Sequence, residues 1–307
     1  MARINPNTAQ KVARWISGAG PSVSPEQARA SVEQLRAQAV RAPQIVADVT
    51  GMADAAAEAA KVPVYVVDRA NWARAAAQLA DDVLAPHIAP DAGRAGNAVS
   101  SAEVAVGVAG FATRVLGQYD PFSQRLLLVA PNIAAFGEKY ALDRRDLALW
   151  VCVHELTHAA QFAAAPWLKD YMLSRARTLL TRAEADPASF TLDSGPGGEL
   201  SAIMSLLEGH AEYVMNSIAL ALMPGKNNLI AAMERRRSQG GPITAFVRKA
   251  AGFDAKMAQY RDGAAFVGQV VDRVGHEGLA EVWADPLNAP SPEEIAAPAA
   301  WIRRVIG

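Results

Sequence analysis

The segment Val153-His154-Glu155-Leu156-Thr157-His158 places two imidazoles four residues apart, with a carboxylate directly after the first. On an α-helix that interval is about one turn, so both rings leave the same face and can reach one zinc ion at about 2.0–2.1 Å. Glu155 is displaced around the helix, where its carboxylate can meet a zinc-activated water rather than the metal. The chemistry on offer is hydrolysis, with the ion polarising the reacting bond and Glu155 acting as general base. The bland alternative is a buried helix whose histidines only satisfy hydrogen bonds. A third possibility keeps the zinc in a non-catalytic binding or scaffold protein.

A catalytic zinc takes three protein ligands and leaves one position open. Further along, Leu206-Leu207-Glu208-Gly209-His210-Ala211-Glu212-Tyr213 offers Glu208, His210 and Glu212 within a second apolar stretch, where uncompensated charge is costly. Glu208 and Glu212, four apart, share a face, and both could instead point to solvent. His210 reads more simply as a packed or hydrogen-bonded helix residue. Cys152 stands two positions before His154, faces away from it, and reads as a small buried thiol. Tyr213, Tyr260 and His276 are candidates to steady a developing oxyanion, although each residue type is common in packing. Tyr260-x-x-Gly263 to Phe266 has the look of a tight helix contact, and Trp283 and Trp301 read as core or interdomain anchors.

The elements that must carry these groups are mostly helical. Alanine-rich segments with apolar residues at three- and four-residue spacing predict a mainly α protein. Val12, Trp15 and Ile16 form one short amphipathic face. Ser24, Pro25 and Gln27 have the order of a helix cap, a first-turn proline and a capping-box partner, opening a helix that Pro43 should interrupt. Val62 to Val67 reads as a strand, with Pro63 placing it at an edge or a strand start, and a helix containing Trp72 begins near Asn71. Gly117 to Pro121 has turn chemistry and Arg125 to Val129 reads as a second strand. Asp143 can cap the helix that bears His154 and His158, with Asp146 in its first turn and Pro166 at its end.

That helix is apolar around most of its circumference, which predicts a central, buried position. Another helix runs from Trp167 to about Ala183. Asp193 to Gly198 reads as loop throughout, a surface loop or a lid over the site, followed by a long helix from Glu199 to Met223 that Pro224-Gly225 stops. Pro86 to Gly96 is the most plausible linker, which divides the chain into an N-terminal helical part, 1–95, and a core, 96–307.

Composition narrows the partners. A net charge of -1 supplies no broad field for nucleic acid, and Arg235 to Arg237 read as the solvated end of a helix. A single cysteine cannot form an internal bridge, which favours a reducing interior. No segment reaches the ~20 apolar residues that span a bilayer, and Met1 to Gly20 lacks the apolar core of a cleavable signal. The expectation is a cytoplasmic protein acting on a peptide or small-molecule substrate, with no nucleic-acid or membrane partner.

The two segments around His154 and Glu208 resemble the gluzincin branch of the zincin metallopeptidases, in which a later helix supplies a glutamate ligand. The resemblance implies a zincin-like fold with a small β-sheet, a zinc cofactor, and Glu208 as third ligand beside His154 and His158. More closely, the sequence is similar to a family of zincin-like proteins, presumed hydrolases, whose name associates them with biosynthesis of a deazaflavin coenzyme. Val66 to Arg69, Leu116 to Asp120, Ala130 to Asn132, His154 to Phe162, Pro166 to Leu168 and Leu206 to Met215 carry that likeness. The name defines neither a pathway nor a substrate. The spacing from His158 to Glu208 is longer than in familiar gluzincins, leaving Glu212 and His210 as rivals, with Glu212 suited to orienting a ligand histidine.

Overall fold

The structure, a computed structural model, describes residues 5–84, 107–185, 191, 194–238 and 253–307. The segment expected to link an N-terminal part to a core, 86–96, lies outside the described residues. In chain order the elements are α1 (Pro6–Ile16), α2 (Pro25–Thr50), α3 (Ala53–Ala59), β1 (Val64–Val67), α4 (Arg69–Leu84), β2 (Gly117–Asp120), β3 (Arg125–Val129) and α5 (Ala130–Tyr140). They continue with α6 (Arg144–Ala164), α7 (Leu168–Ala185), α8 (Gly195–Ser217), α9 (Lys226–Ser238), α10 (Phe253–Ala284), α11 (Pro292–Ala296) and α12 (Pro298–Val305). The described residues are thus mainly helical with one small three-stranded sheet, as the sequence pattern and the resemblance together implied.

Packing gathers the chain into two compact units. The first draws on Met1–Ala42, Val62–Glu155 and Asn227–Leu229, the second on Pro43–Lys61, Leu156–Lys226 and Ile230–Gly307. In the first unit the strands lie in the order β1-β3-β2, with β1 parallel and β2 antiparallel to β3. Pro63 sits just before the edge strand β1, and its carbonyl accepts from the Leu126 N–H at 2.9 Å. Leu127 and Val129 of β3 join Trp72, Ala73 and Ala13 in one buried cluster. Helix α1 packs through its small residues, Ala9 and Ala13, while Trp15 and Ile16 are exposed. The expected Val12, Trp15 and Ile16 face is therefore rotated, because alanines permit a closer approach than a tryptophan would.

Arg69 and Asn132, both in segments that carry the family likeness, turn out to hold this unit together. The Arg69 Nε donates to Asn132 Oδ1 at 2.6 Å, and Asn132 Nδ2 donates to the carbonyls of Ala112 and Val115 at 2.7 Å each. Asn132 is buried, so every one of its bonds replaces a lost contact with water. It stands in the first turn of α5, a helix the sequence pattern did not announce.

The second unit is an apolar helical assembly centred on Leu168, Ile203, Leu206, Phe266, Val270 and Trp283, with Trp301 fully buried against the ring of Phe266. Trp283 and Trp301 are core residues, as expected. The indole N–H of Trp301 donates to the Asn288 carbonyl at 2.7 Å, and that of Trp167 to the Trp283 carbonyl at 2.8 Å.

Four local expectations are corrected. Helix α2 opens at Pro25 with a complete Ser24–Gln27 capping box, yet it continues through Pro43 to Thr50. Proline in a helix interior costs about 3 kcal/mol, and buried Ala39, Ala42, Ile45 and Val46 on either side of it favour keeping the helix whole. Gly117 to Asp120 form strand β2 rather than a turn. The reversal comes after it, where the Asp120 carboxylate accepts from the Phe122 and Ser123 N–H groups at 3.0 and 3.1 Å and from Arg125 Nε at 3.2 Å. Helix α8 starts at Gly195, inside the expected loop, with Ser194 at its cap and Pro196 in its first turn. Burial of Gly197 and Gly198 offsets the entropic cost of glycine there. The same helix ends at Ser217, well before Pro224.

Candidate metal centre

Helix α6 carries the histidine pair. Asp143 caps it through the Asp146 N–H at 2.9 Å, and the seven residues from Leu147 to Val153 are all buried. A helix with no solvent face at this level is a central, buried element. One turn on, His154 and His158 project together, and α8 brings up Glu208. The ligand atoms of His154, His158 and Glu208 all lie within 4.8 Å of one another. Glu212 and His210, the rival ligands, are not part of this cluster.

The donor set fits a zinc ion. His158 Nε2 and Glu208 Oε1 stand 3.7 Å apart, too far for a good hydrogen bond and close to the ~3.4 Å that separates two tetrahedral ligands about 2.1 Å from one metal. Two neutral imidazoles and one carboxylate are a familiar ligand set for a catalytic zinc. The Glu208 side chain is 37% exposed against 14% for His158, so the cluster opens toward solvent on the glutamate side.

Glu155, directly after His154, is buried beside strand β2. Its Oε2 accepts from the Tyr119 backbone N–H of β2 at 2.8 Å. A Cβ added at Gly117 would lie 2.7 Å from Glu155 Cγ, 2.9 Å from its Oε1 and 2.9 Å from Val151 Cγ1. Strand β2 can therefore rest against α6 only because residue 117 has no side chain. Gly117 and Tyr119 were legible in the sequence as turn chemistry and as part of the family likeness, but their role beside the carboxylate was not.

Around this cluster lies a second layer, on α6, α8 and α10. Gln161 is fully buried; its amide lies 2.9 Å from His158 Nδ1, 3.0 Å from His210 Nδ1 and 2.9 Å from the Leu207 carbonyl. Spacing alone did not single it out. The available signal was an uncharged polar side chain one turn after His158 in an apolar helix, which burial obliges to find partners. His210 is buried with its ring 5.4 Å from that of Trp283. Its pKa is pushed down to about 3, first by burial and then by the nearby His276 and His158, so it is neutral near pH 7. It is a packed, hydrogen-bonded residue, as its position suggested.

Tyr213 meets His276 edge to face at 5.9 Å between ring centres. The Tyr260 side chain lies outside the described residues. Gly263 does make the tight helix contact expected of its segment: a Cβ there would lie 2.0 Å from the Ser205 carbonyl oxygen, and one at Gly209 would lie 2.1 Å from the Gly263 carbonyl carbon. Cys152 is buried with Sγ 3.7 Å from the Leu35 carbonyl. Burial, and then the charge of Glu155, push its thiol far above the usual range, so it is no nucleophile. No helix among the described residues is long and apolar enough to cross a membrane.

The chain is similar to known proteins along nearly its whole length. The solved structure of a protein presumed to be a hydrolase, with a novel fold, from Chloroflexus aurantiacus superposes with a TM-score of 0.74 at 28% identity, covering 98% of each chain. No curated protein matches. The profile of the zincin-like metallopeptidases matches residues 4–194 and 197–302, which span the histidine pair, Glu208 and both units. A metal-ready trio on two helices, within a sequence matched almost from end to end, makes this chain a member of the zincin-like metallopeptidase family.

Proposed function

We propose that this protein is a zinc-dependent hydrolase that cleaves peptides, with His154, His158 and Glu208 as the metal ligands and Glu155 as the general base. The observation that carries the reading is the convergence of three ligand atoms within 4.8 Å on two helices. When bound, zinc would polarise the scissile carbonyl and lower the pKa of water at the site. The chain's own residues supply the rest. Helix α6 holds two imidazoles one turn apart, and Glu208 adds the single negative charge that leaves the site attractive to an electron-rich carbonyl. Glu155 is held in place by the Tyr119 N–H, from which its Oε2 accepts at 2.8 Å, and its carboxylate is the group that would take up the proton. Tyr213 and His276 pack against each other and stand as candidates to donate to a developing oxyanion. The single buried thiol suits a reducing cytoplasm.

The test sets native protein beside Glu155→Gln, with metal content measured and a mixed peptide library screened for cleavage. The amide is isosteric but cannot take up the proton, so both proteins should hold zinc while only the native one turns over. Equal cleavage by the two would remove Glu155 from its role. Zinc in both with cleavage by neither would replace the hydrolase by a zinc-binding scaffold on the same frame.

A further inference from the structure

Gln161 makes three polar contacts whose roles determine one another. A peptide carbonyl can only accept, so the Leu207 oxygen 2.9 Å away identifies the facing atom of Gln161 as Nε2 and fixes which way round its amide sits. The second Nε2 hydrogen then points at His210 Nδ1, 3.0 Å away, which must accept it. His210 consequently carries its proton on Nε2. On the other side Gln161 Oε1 is an acceptor 2.9 Å from His158 Nδ1, which must donate. His158 therefore carries its proton on Nδ1 and turns the lone pair of Nε2 toward Glu208 Oε1 at 3.7 Å. Two acceptors facing each other at that distance repel, and a shared cation relieves the repulsion.

We propose that Gln161 is the positioning residue of the metal centre: its amide, oriented by the Leu207 carbonyl, holds His158 in the Nδ1–H tautomer and so prepares Nε2 to bind the ion. This rests on the reading of His158 as a ligand. It also assigns a reason to a buried polar side chain that packing alone would replace with leucine or methionine. Because Leu207 and Glu208 are neighbours on α8, the same amide that orients the histidine also ties the backbone beside the carboxylate ligand to α6. Zincs are commonly bound by histidines whose other nitrogen donates to a carboxylate or a carbonyl; here a glutamine locked in one orientation does the work.

The direct test uses metal-free native protein, uniformly labelled with 15N, and reads two-bond proton–nitrogen correlations of the imidazoles at about pH 8, where an ordinary histidine is neutral. The expected result is a pair of opposite tautomers, Nδ1–H for His158 and Nε2–H for His210, assigned by the signals lost in His158→Ala and His210→Phe. A proton on Nε2 of metal-free His158 would overturn the proposal. A second arm measures zinc affinity of Gln161→Met by competition with a chromophoric chelator. Methionine fills a similar volume but cannot orient the ring, so affinity should fall by about 10–100-fold. A Gln161→Met protein that melts cooperatively and binds zinc as tightly as the native chain would also overturn it. If that variant does not fold, the tautomers of the native protein decide. Native protein that binds no zinc yet shows the opposite tautomers would sink the metal reading of the site and leave the control of His158 by Gln161 standing.

Discussion

Replacing Gly209 by alanine should damage the protein far more than its single methyl suggests. The new Cβ would lie 2.1 Å from the Gly263 carbonyl carbon, 2.4 Å from the Ala264 nitrogen and 2.5 Å from the Gly263 oxygen, all of them backbone atoms that no rotamer change can move aside. Carbon atoms pack at about 3.5–4.0 Å, so α8 and α10 must part by more than ~1 Å at their crossing. A gap of that size forfeits roughly half or more of each contact's attraction. The contacts concerned are those of fully buried Leu206, Phe266 and Val267, which share one core cluster. Overpacking of this kind costs about 3 kcal/mol or more, against which alanine returns about 1 kcal/mol of helix propensity. The expected net loss is about 2 kcal/mol or more, a melting point lower by roughly 4–8 °C at ~2–4 °C per kcal/mol.

Gly268→Ala, on the same helix α10, is the matched control, because nothing lies within 4 Å of its added Cβ. It should leave stability unchanged or raise it by up to about 1 kcal/mol. Thermal melts and urea midpoints of the two variants, taken side by side with zinc titrations, measure both effects. Since Glu208 adjoins Gly209, zinc affinity should also weaken in Gly209→Ala and not in Gly268→Ala. A Gly209→Ala protein as stable as Gly268→Ala would refute the close crossing and with it the placement of Glu208 by α8.

Other outcomes follow from particular contacts. Asn132→Ala removes the acceptor of Arg69 and the donors of the Ala112 and Val115 carbonyls, and should cost about 2–3 kcal/mol by urea unfolding; a loss under about 0.5 kcal/mol would show the network to be idle. Gly117→Ala pushes a methyl against Glu155 and Val151, so zinc should be retained while hydrolysis falls by about tenfold to a hundredfold, and unchanged turnover would detach β2 from the site. Cys152 should resist thiol reagents in the folded protein and label only as the chain unfolds, since it is buried and its thiol is held protonated. Saturating zinc at about 100 times its Kd should stabilise the native protein by about 2.7 kcal/mol, a gain that His154→Ala should abolish in the same melting assay.

The sequence displayed the site more clearly than the architecture around it. His154, Glu155 and His158 declare themselves because an i, i+4 histidine pair has few other reasons to occur in an apolar helix. Glu208 was legible as an acid in a stretch too apolar for it, and the family likeness separated it from Glu212 before any geometry did. Strands β1 and β3 were plain from their valine and leucine runs, whereas β2 was not, since Gly117-Gln118-Tyr119-Asp120 has the residues of a turn and becomes a strand only by pairing with β3. Helix α2 misled through Pro43, whose local penalty is overridden by burial on both sides. The start of α8 misled in the opposite sense, because glycines that favour a loop in isolation are buried here. Gln161 remained hidden, since its meaning lies in a carbonyl of another helix and two rings it touches, none of which a single segment displays.

The claim on which the account stands is that one divalent ion sits among His154, His158 and Glu208. Equilibrium dialysis of the folded, chelator-stripped protein against zinc, followed by metal analysis, counts that ion directly. One tightly held zinc per chain is expected, and none so held when His154 and His158 are both replaced by alanine; a native chain that takes up no zinc, or a double variant that keeps it, would remove the metal centre.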